Sequence, residues 1–100
     1  QMTKLDAMWV ELEAYQSKAN KRGHGKTWVG MCRLKTANAA FAASEHAYAK
    51  GAADAAFAAY CTYGAEAAYL AGKSADRVDY WAQTAIEHIN KATKTIGETE

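Results

Sequence analysis

Leu5, Met8, Trp9, Leu12 and Tyr15 recur at spacings of three and four, the signature of a helix that buries one stripe of its surface. Thr3, with Asp6 three positions on, resembles a capping box at the start of that stripe, and Gly23 supplies a stop, so the first helix is expected over 3–22. Gly23-His24-Gly25-Lys26 reads as a tight connection, and Thr27 as the cap of the next helix. Met31, Leu34, Ala37, Phe41, Ser44 and Tyr48 then alternate by three and four, predicting a second helix over 28–49. A straight helix through Gly51 would place Phe57 roughly opposite Phe41, at about 100° per residue. A break near Gly51 is therefore expected, with a third helix over 53–71 that turns Phe57, Tyr60, Gly64, Ala67 and Ala71 inward and closes at Gly72. Ser74 caps a fourth helix over 75–96, whose stripe is Val78, Trp81 or Ala82, Ala85, Ile89, Ala92 and Ile96, with Gly97 as its stop.

These elements predict one all-α domain, a small up-down bundle of about four helices. The alternative is a three-helix protein in which one very long helix buries its spare face in a dimer. Ala47-Tyr48-Ala49-Lys50-Gly51 and Ala68-Tyr69-Leu70-Ala71-Gly72 share an ending 21 residues apart, a period too short for a helical repeat; two helices stopped alike explain it.

Composition sharpens the picture. Of 100 residues 24 are alanine and none is proline, while only 18 are Val, Ile, Leu, Met, Phe or Trp, so the core must be thin or completed by another subunit. Ala-lined helices that approach closely are expected to take Trp9, Phe41, Tyr48, Phe57, Tyr60 and Trp81 into the clefts between them. Tyr63, Tyr69 and Tyr80 cannot all share that interior, so part of the tyrosine surplus is expected at the surface, where it marks protein interfaces. An alanine-lined face around Ala58, Ala65 and Ala68 offers a second copy of the chain a place to approach.

The net charge of +1 conceals an uneven arrangement. Asp6, Asp54, Asp76 and Asp79 open helices and Lys50, Lys73, Lys91 and Lys94 close them, as the helix dipole favours. The second helix departs from this, because Lys26, Arg33 and Lys35 crowd its start and no acid lies between Glu13 and Glu45. With Lys18, Lys21, Arg22 and His24 they form a candidate binding patch, on which Trp28 and His24 would stack on a base or pack against a partner. The bland alternative is a solvated face with Lys26 covering the carbonyls that end the first helix.

Other chemistry is weakly signalled. Gly25-Lys26-Thr27 echoes the end of a phosphate-binding loop, but Asn20 stands where its first glycine belongs and a helix precedes it. Glu45-His46 and Glu87-His88 project about 100° apart on a helix and would not readily share a metal. Cys32 and Cys61, without a paired spacing, read as free buried thiols. No cofactor or metal is expected. No stretch reaches the ~18 uninterrupted apolar residues of a membrane span; with no secretory signal read at the start, the expectation is cytoplasmic. Gln1 ahead of Met2 reads as a cloning remnant.

The Ala-Ala-x-Ala-Ala texture of 52–59 and 65–71 resembles small helical accessory proteins of bacteriophages. That resemblance implies a protein that binds and inhibits a host defence or transcription factor, acting in the host cytoplasm. Many such inhibitors are acidic mimics of nucleic acid, a pattern from which a charge of +1 departs. The sequence thus predicts a non-enzymatic protein-interaction module that self-associates, with a nucleic-acid or nucleotide-phosphate binder using Lys18, Lys21, Arg22, Lys26, Arg33 and Lys35 as the alternative.

Overall fold

Thr3 opens the first element as its spacing implies: its hydroxyl accepts the Asp6 amide at 3.0 Å and the Asp6 carboxylate accepts the Thr3 amide at 3.2 Å. In the computed structural model, which describes residues 2–99 and side chains as far as residue 94, the chain is all helical apart from its turns. Six helices are present among the described residues, where four were expected: α1 (Lys4–Ala14), α2 (Gln16–Arg22), α3 (Gly25–Leu34), α4 (Ala37–Ala49), α5 (Ala53–Leu70) and α6 (Ala75–Thr99). They pack into a body of 39 × 22 × 20 Å.

The first extra boundary is an offset at Tyr15. The Leu12 carbonyl accepts the Trp28 indole N–H at 2.8 Å and the Tyr15 amide at 3.3 Å, so the helical ladder is interrupted there by a side chain from another helix. Gly23 then ends α2 in the left-handed region (φ 89°), with the His24 amide reaching back to the Ala19 carbonyl. Gly25 follows at a point of close approach, where a Cβ would overlap the Asn20 side chain and lie 2.8 Å from Asn20 Cα.

The second extra boundary divides the helix expected over 28–49. Lys35 adopts φ 54°, the single non-glycine positive φ among the described residues, and Thr36 caps α4 by accepting the Ala39 amide at 3.2 Å. An unbroken helix would turn the Trp28–Met31–Cys32 face about 100° away from the Ala40–Ala43–Ala47 face, yet all six residues are buried. Lys35 is held in its conformation by its own side chain, whose ammonium bonds the Cys32 carbonyl at 2.6 Å and Glu13 at 2.8 Å.

Glycines at 51 and 72, both with positive φ, end α4 and precede the start of α6, so the single long helix of the alternative reading does not form. Ser74 accepts the Arg77 amide at 3.3 Å to cap α6. That helix continues through Gly97 to Thr99 rather than stopping there; the Ile96 side chain and Gln1 lie outside the described residues.

Packing centres on α5, which lies along α4 on one side and α6 on another, with α1 against α6 and α3 against α4 and α2. Ala55, Ala56, Ala58, Ala59 and Ala65 are all buried, as are Ala40, Ala43 and Ala47 of α4 and Ala82, Ala85 and Ala92 of α6. Small side chains let these helices approach closely, and at Gly64 the approach is closest: a Cβ there would sit 2.9 Å from the Trp81 ring. Most of the larger core residues, Met8, Trp9, Leu12, Tyr15, Trp28 and Met31, come instead from α1, α3 and the Tyr15 offset, with Ile89 supplied by α6.

This arrangement corrects the expected role of the rings. Trp9 is buried and Trp81 half-buried, but Phe41, Tyr48, Phe57 and Tyr60 are 41%, 69%, 49% and 48% exposed. Alanine packing leaves no cleft wide enough for them, so α4 and α5 turn their alanine stripes inward and their aromatic stripes outward. Leu34 is likewise exposed, and the Ala58–Ala65–Ala68 face, expected to be open to a second copy, is already buried within the chain.

Candidate protein-contact site

The structure divides the basic residues singled out by the sequence: Lys18, Lys21, Arg22 and Lys26 flank the turn between α2 and α3, while Arg33 and Lys35 lie at the other end of α3. His24 and Trp28 are fully buried, so neither is available to stack on a base or meet a partner. They form an internal cluster with Tyr15: ring centroids lie 4.9 Å apart for Tyr15–Trp28 and 5.6 Å for His24–Trp28, and the Tyr15 hydroxyl meets His24 Nε2 at 3.4 Å. His24 Nδ1 is buried without a partner. Burial first, then the nearby charges of Arg22 and His46, push the imidazole pKa down to about 4, so it is neutral at pH 7.

Lys18 and Lys21 belong to α2 and Lys26 to the first turn of α3, whereas Arg33 and Lys35 lie toward the far end of α3, roughly 10 and 13 Å along its axis from Lys26. The break at Lys35 makes Arg33 a last-turn cation, where the dipole welcomes it, whereas Lys26 remains in the first turn of α3, which holds no acid. Arg22 bonds the Gly51 carbonyl at 3.3 Å, and Lys35 is tied to Glu13 while its ammonium stands 5.4 Å from the centre of the Trp9 ring.

A continuous surface forms elsewhere, on α4 and α5. Phe41, Ser44 and Tyr48 succeed one another at three and four residues along α4, and Ala53, Phe57 and Tyr60 do so along α5, which places each set on one outward stripe. Tyr63 joins them, its ring centroid 5.5 Å from Phe41 and 5.7 Å from Tyr60. At the other end Phe57 lies 5.5 Å from the His88 ring of α6. Between these stripes is a hollow of about 240 Å³ lined by Ser44, Glu45, Tyr48, Ala56, Phe57 and Tyr60. Glu45 is the single charged side chain in that lining.

The sequence did contain a signal for this surface. Ala40, Ala43 and Ala47 repeat at the same helical spacing as Phe41, Ser44 and Tyr48, and the greater hydrophobicity of the rings assigns the pattern to the wrong stripe. Tyr69 and Tyr80, expected among the surface tyrosines, are exposed; Tyr63 is half-buried behind Phe41 and Tyr60.

Other candidate chemistry is set by local bonds. His46 shares a 3.0 Å hydrogen bond with Thr27, and His88 Nδ1 lies 3.5 Å from Asp54. Neither histidine pairs with its preceding glutamate. Among the described residues no three His, Cys, Asp or Glu side chains gather as a metal site, and no helix is long and apolar enough to cross a membrane. Cys32 and Cys61 are free and buried, and burial raises both thiol pKa values, that of Cys32 to about 12 with a further contribution from Glu13 partly offset by Lys35. No protein-family model, curated protein or solved structure matches the chain.

Proposed function

We propose that the protein is a non-enzymatic interaction module that works as a pair of copies joined through the aromatic face of α4 and α5. The observation that supports this is a shared face of exposed or half-exposed rings: Phe41, Tyr63 and Tyr60 in succession, and Tyr60, Phe57 and Tyr48 around one hollow. A second copy fits this face for two physical reasons. The face is nearly uncharged, so a two-fold contact of the patch with itself brings few like charges together. Its area is also of the right order. At ~200 Å² for a whole aromatic side chain, the four most exposed rings present roughly 400 Å² per chain, about half of the ~800 Å² that each partner buries in a stable interface. The hollow beside Tyr48 and Phe57 would receive a side chain of the second copy, as interface anchors commonly are received.

Sedimentation equilibrium of the protein and of Phe57→Glu tests the reading. Phe57 is 49% exposed, so pairing covers about 100 Å² of it, worth ~2 kcal/mol per chain and twice that per pair. The expected result is a dimer at tens of micromolar that the substitution returns to monomer, with far-ultraviolet circular dichroism unchanged. A wild-type monomer at that concentration, or a dimer indifferent to Phe57→Glu, rejects it.

A further inference from the structure

A second hollow, of about 700 Å³, opens beside α1, α5 and α6 and shares no residue with the aromatic face. Its volume lies within the ~300–1,000 Å³ of small-molecule sites. Trp9 and Glu66 are in its wall, and Leu5 and Val78 supply apolar surface. Glu66 is only 8% exposed, and its Oε2 accepts the Trp9 indole N–H at 2.8 Å. That indole is the one hydrogen-bond donor to the carboxylate among the described residues. A carboxylate has about four acceptor positions, and none of Thr3, Lys35, Tyr69 or Lys73, which also line the hollow, hydrogen-bonds it, so acceptor capacity is left for a bound donor. Asp6, which also accepts the Thr3 amide, and Asp79 bring the carboxylates of the lining to three. Of the two lysines there, Lys35 is neutralised by Glu13 at 2.8 Å, which leaves Lys73. The outer face of Trp9 already holds an ammonium, that of Lys35, 5.4 Å from the ring centre.

We propose that this cleft binds a small organic cation, a primary ammonium or guanidinium carried on an apolar body, with its charge on Glu66 and its body against Leu5, Trp9 and Val78. The buried carboxylate selects the charge and the walls select the body. A neutral compound of the same shape satisfies the walls but offers the carboxylate only an uncharged donor.

Phenethylamine and its neutral counterpart 2-phenylethanol are the probes, titrated into the full chain by calorimetry and followed by nuclear magnetic resonance at the Trp9 indole N–H. The amine is expected to bind about tenfold tighter than the alcohol, since its ammonium adds the attraction of opposite charges to the hydrogen bond that either probe can donate, and to move the Trp9 resonance. Glu66→Gln keeps an acceptor for the indole and should bring the affinity for the amine down to that for the alcohol. If Glu66→Gln does not fold, the wild-type Glu66 carboxyl carbon resonance supplies the second readout, moving with the amine and not with the alcohol. Equal binding of the two probes, an amine affinity unchanged in Glu66→Gln, or no shift at Trp9 or Glu66 at millimolar amine overturns the proposal. Because Phe57→Glu leaves this cleft intact, amine binding in that variant separates the outcome from that of the pairing experiment.

Discussion

Protonating His24 should loosen the fold in a pH range where most carboxylates are still ionised. The imidazole is fully buried between Tyr15 and Trp28, and its pKa in the folded chain is about 4 against 6.5 in an unfolded one. Between those values the unfolded state binds the proton and the folded state does not, so stability falls as pH falls. The contribution is present in full above pH ~6.5 and gone below pH ~4, a total of about 3 kcal/mol at 1.36 kcal/mol per unit. About 2 kcal/mol of this is lost between pH ~7 and ~5, before the main titration of Asp and Glu. Urea unfolding at those two pH values, on the wild type and on His24→Phe, isolates the effect. The variant's baseline stability is immaterial, because the readout is the difference in pH slope. Wild type should lose ~2 kcal/mol more than the variant. Equal losses, or a His24 ring titrating near 6.5 in the folded protein, would refute the reasoning.

The glycines give a graded set of expectations, readable by thermal melting. Gly25→Ala forces a Cβ onto Asn20, including its backbone, and should cost about 3 kcal/mol, the upper part of the overpacking range. Gly64→Ala meets the Trp81 ring at 2.9 Å and should lower the melting temperature despite the better helix propensity of alanine, whereas Gly30→Ala meets nothing within 4 Å and should raise it, by up to ~1 kcal/mol of stability. Both cysteines should resist a thiol reagent at neutral pH until the chain unfolds, because each is buried and protonated; fast labelling of Cys32 in the folded protein would contradict its placement.

Local signals carried much of the fold. The Thr3–Asp6 box, the stops at Gly23, Gly51 and Gly72, and the Ser74 cap involve residues within a few positions of one another, and all form as their spacing implies. The missed boundaries have distant causes. Tyr15 interrupts its helix because Trp28, thirteen positions on, takes the Leu12 carbonyl, and Lys35 holds a left-handed conformation while bonded to Glu13. No propensity scale marks lysine for that role. Reading through Lys35 also assigns Arg33 and Lys35 to the start of a helix, whereas Arg33 lies in the last turn of α3 and Lys35 just beyond it.

The aromatic face is misplaced by the sequence for a different reason. Alanine and aromatic stripes run side by side along α4 and α5, and periodicity alone cannot rank them. Close packing decides, since helices drawn together through Ala40, Ala43, Ala47, Ala55 and Ala59 exclude Phe41, Tyr48, Phe57 and Tyr60 from the space between them. The proposed pairing relocates the expected second copy from the core to the aromatic outer face of α4 and α5.

Pairing through this face is tested most directly by an isotope-filtered nuclear Overhauser experiment on a mixture of labelled and unlabelled chains. Contacts between copies are expected at the rings of Tyr48, Phe57 and Tyr60. Intermolecular contacts confined to other surfaces, or none at concentrations of hundreds of micromolar, would contradict the pairing.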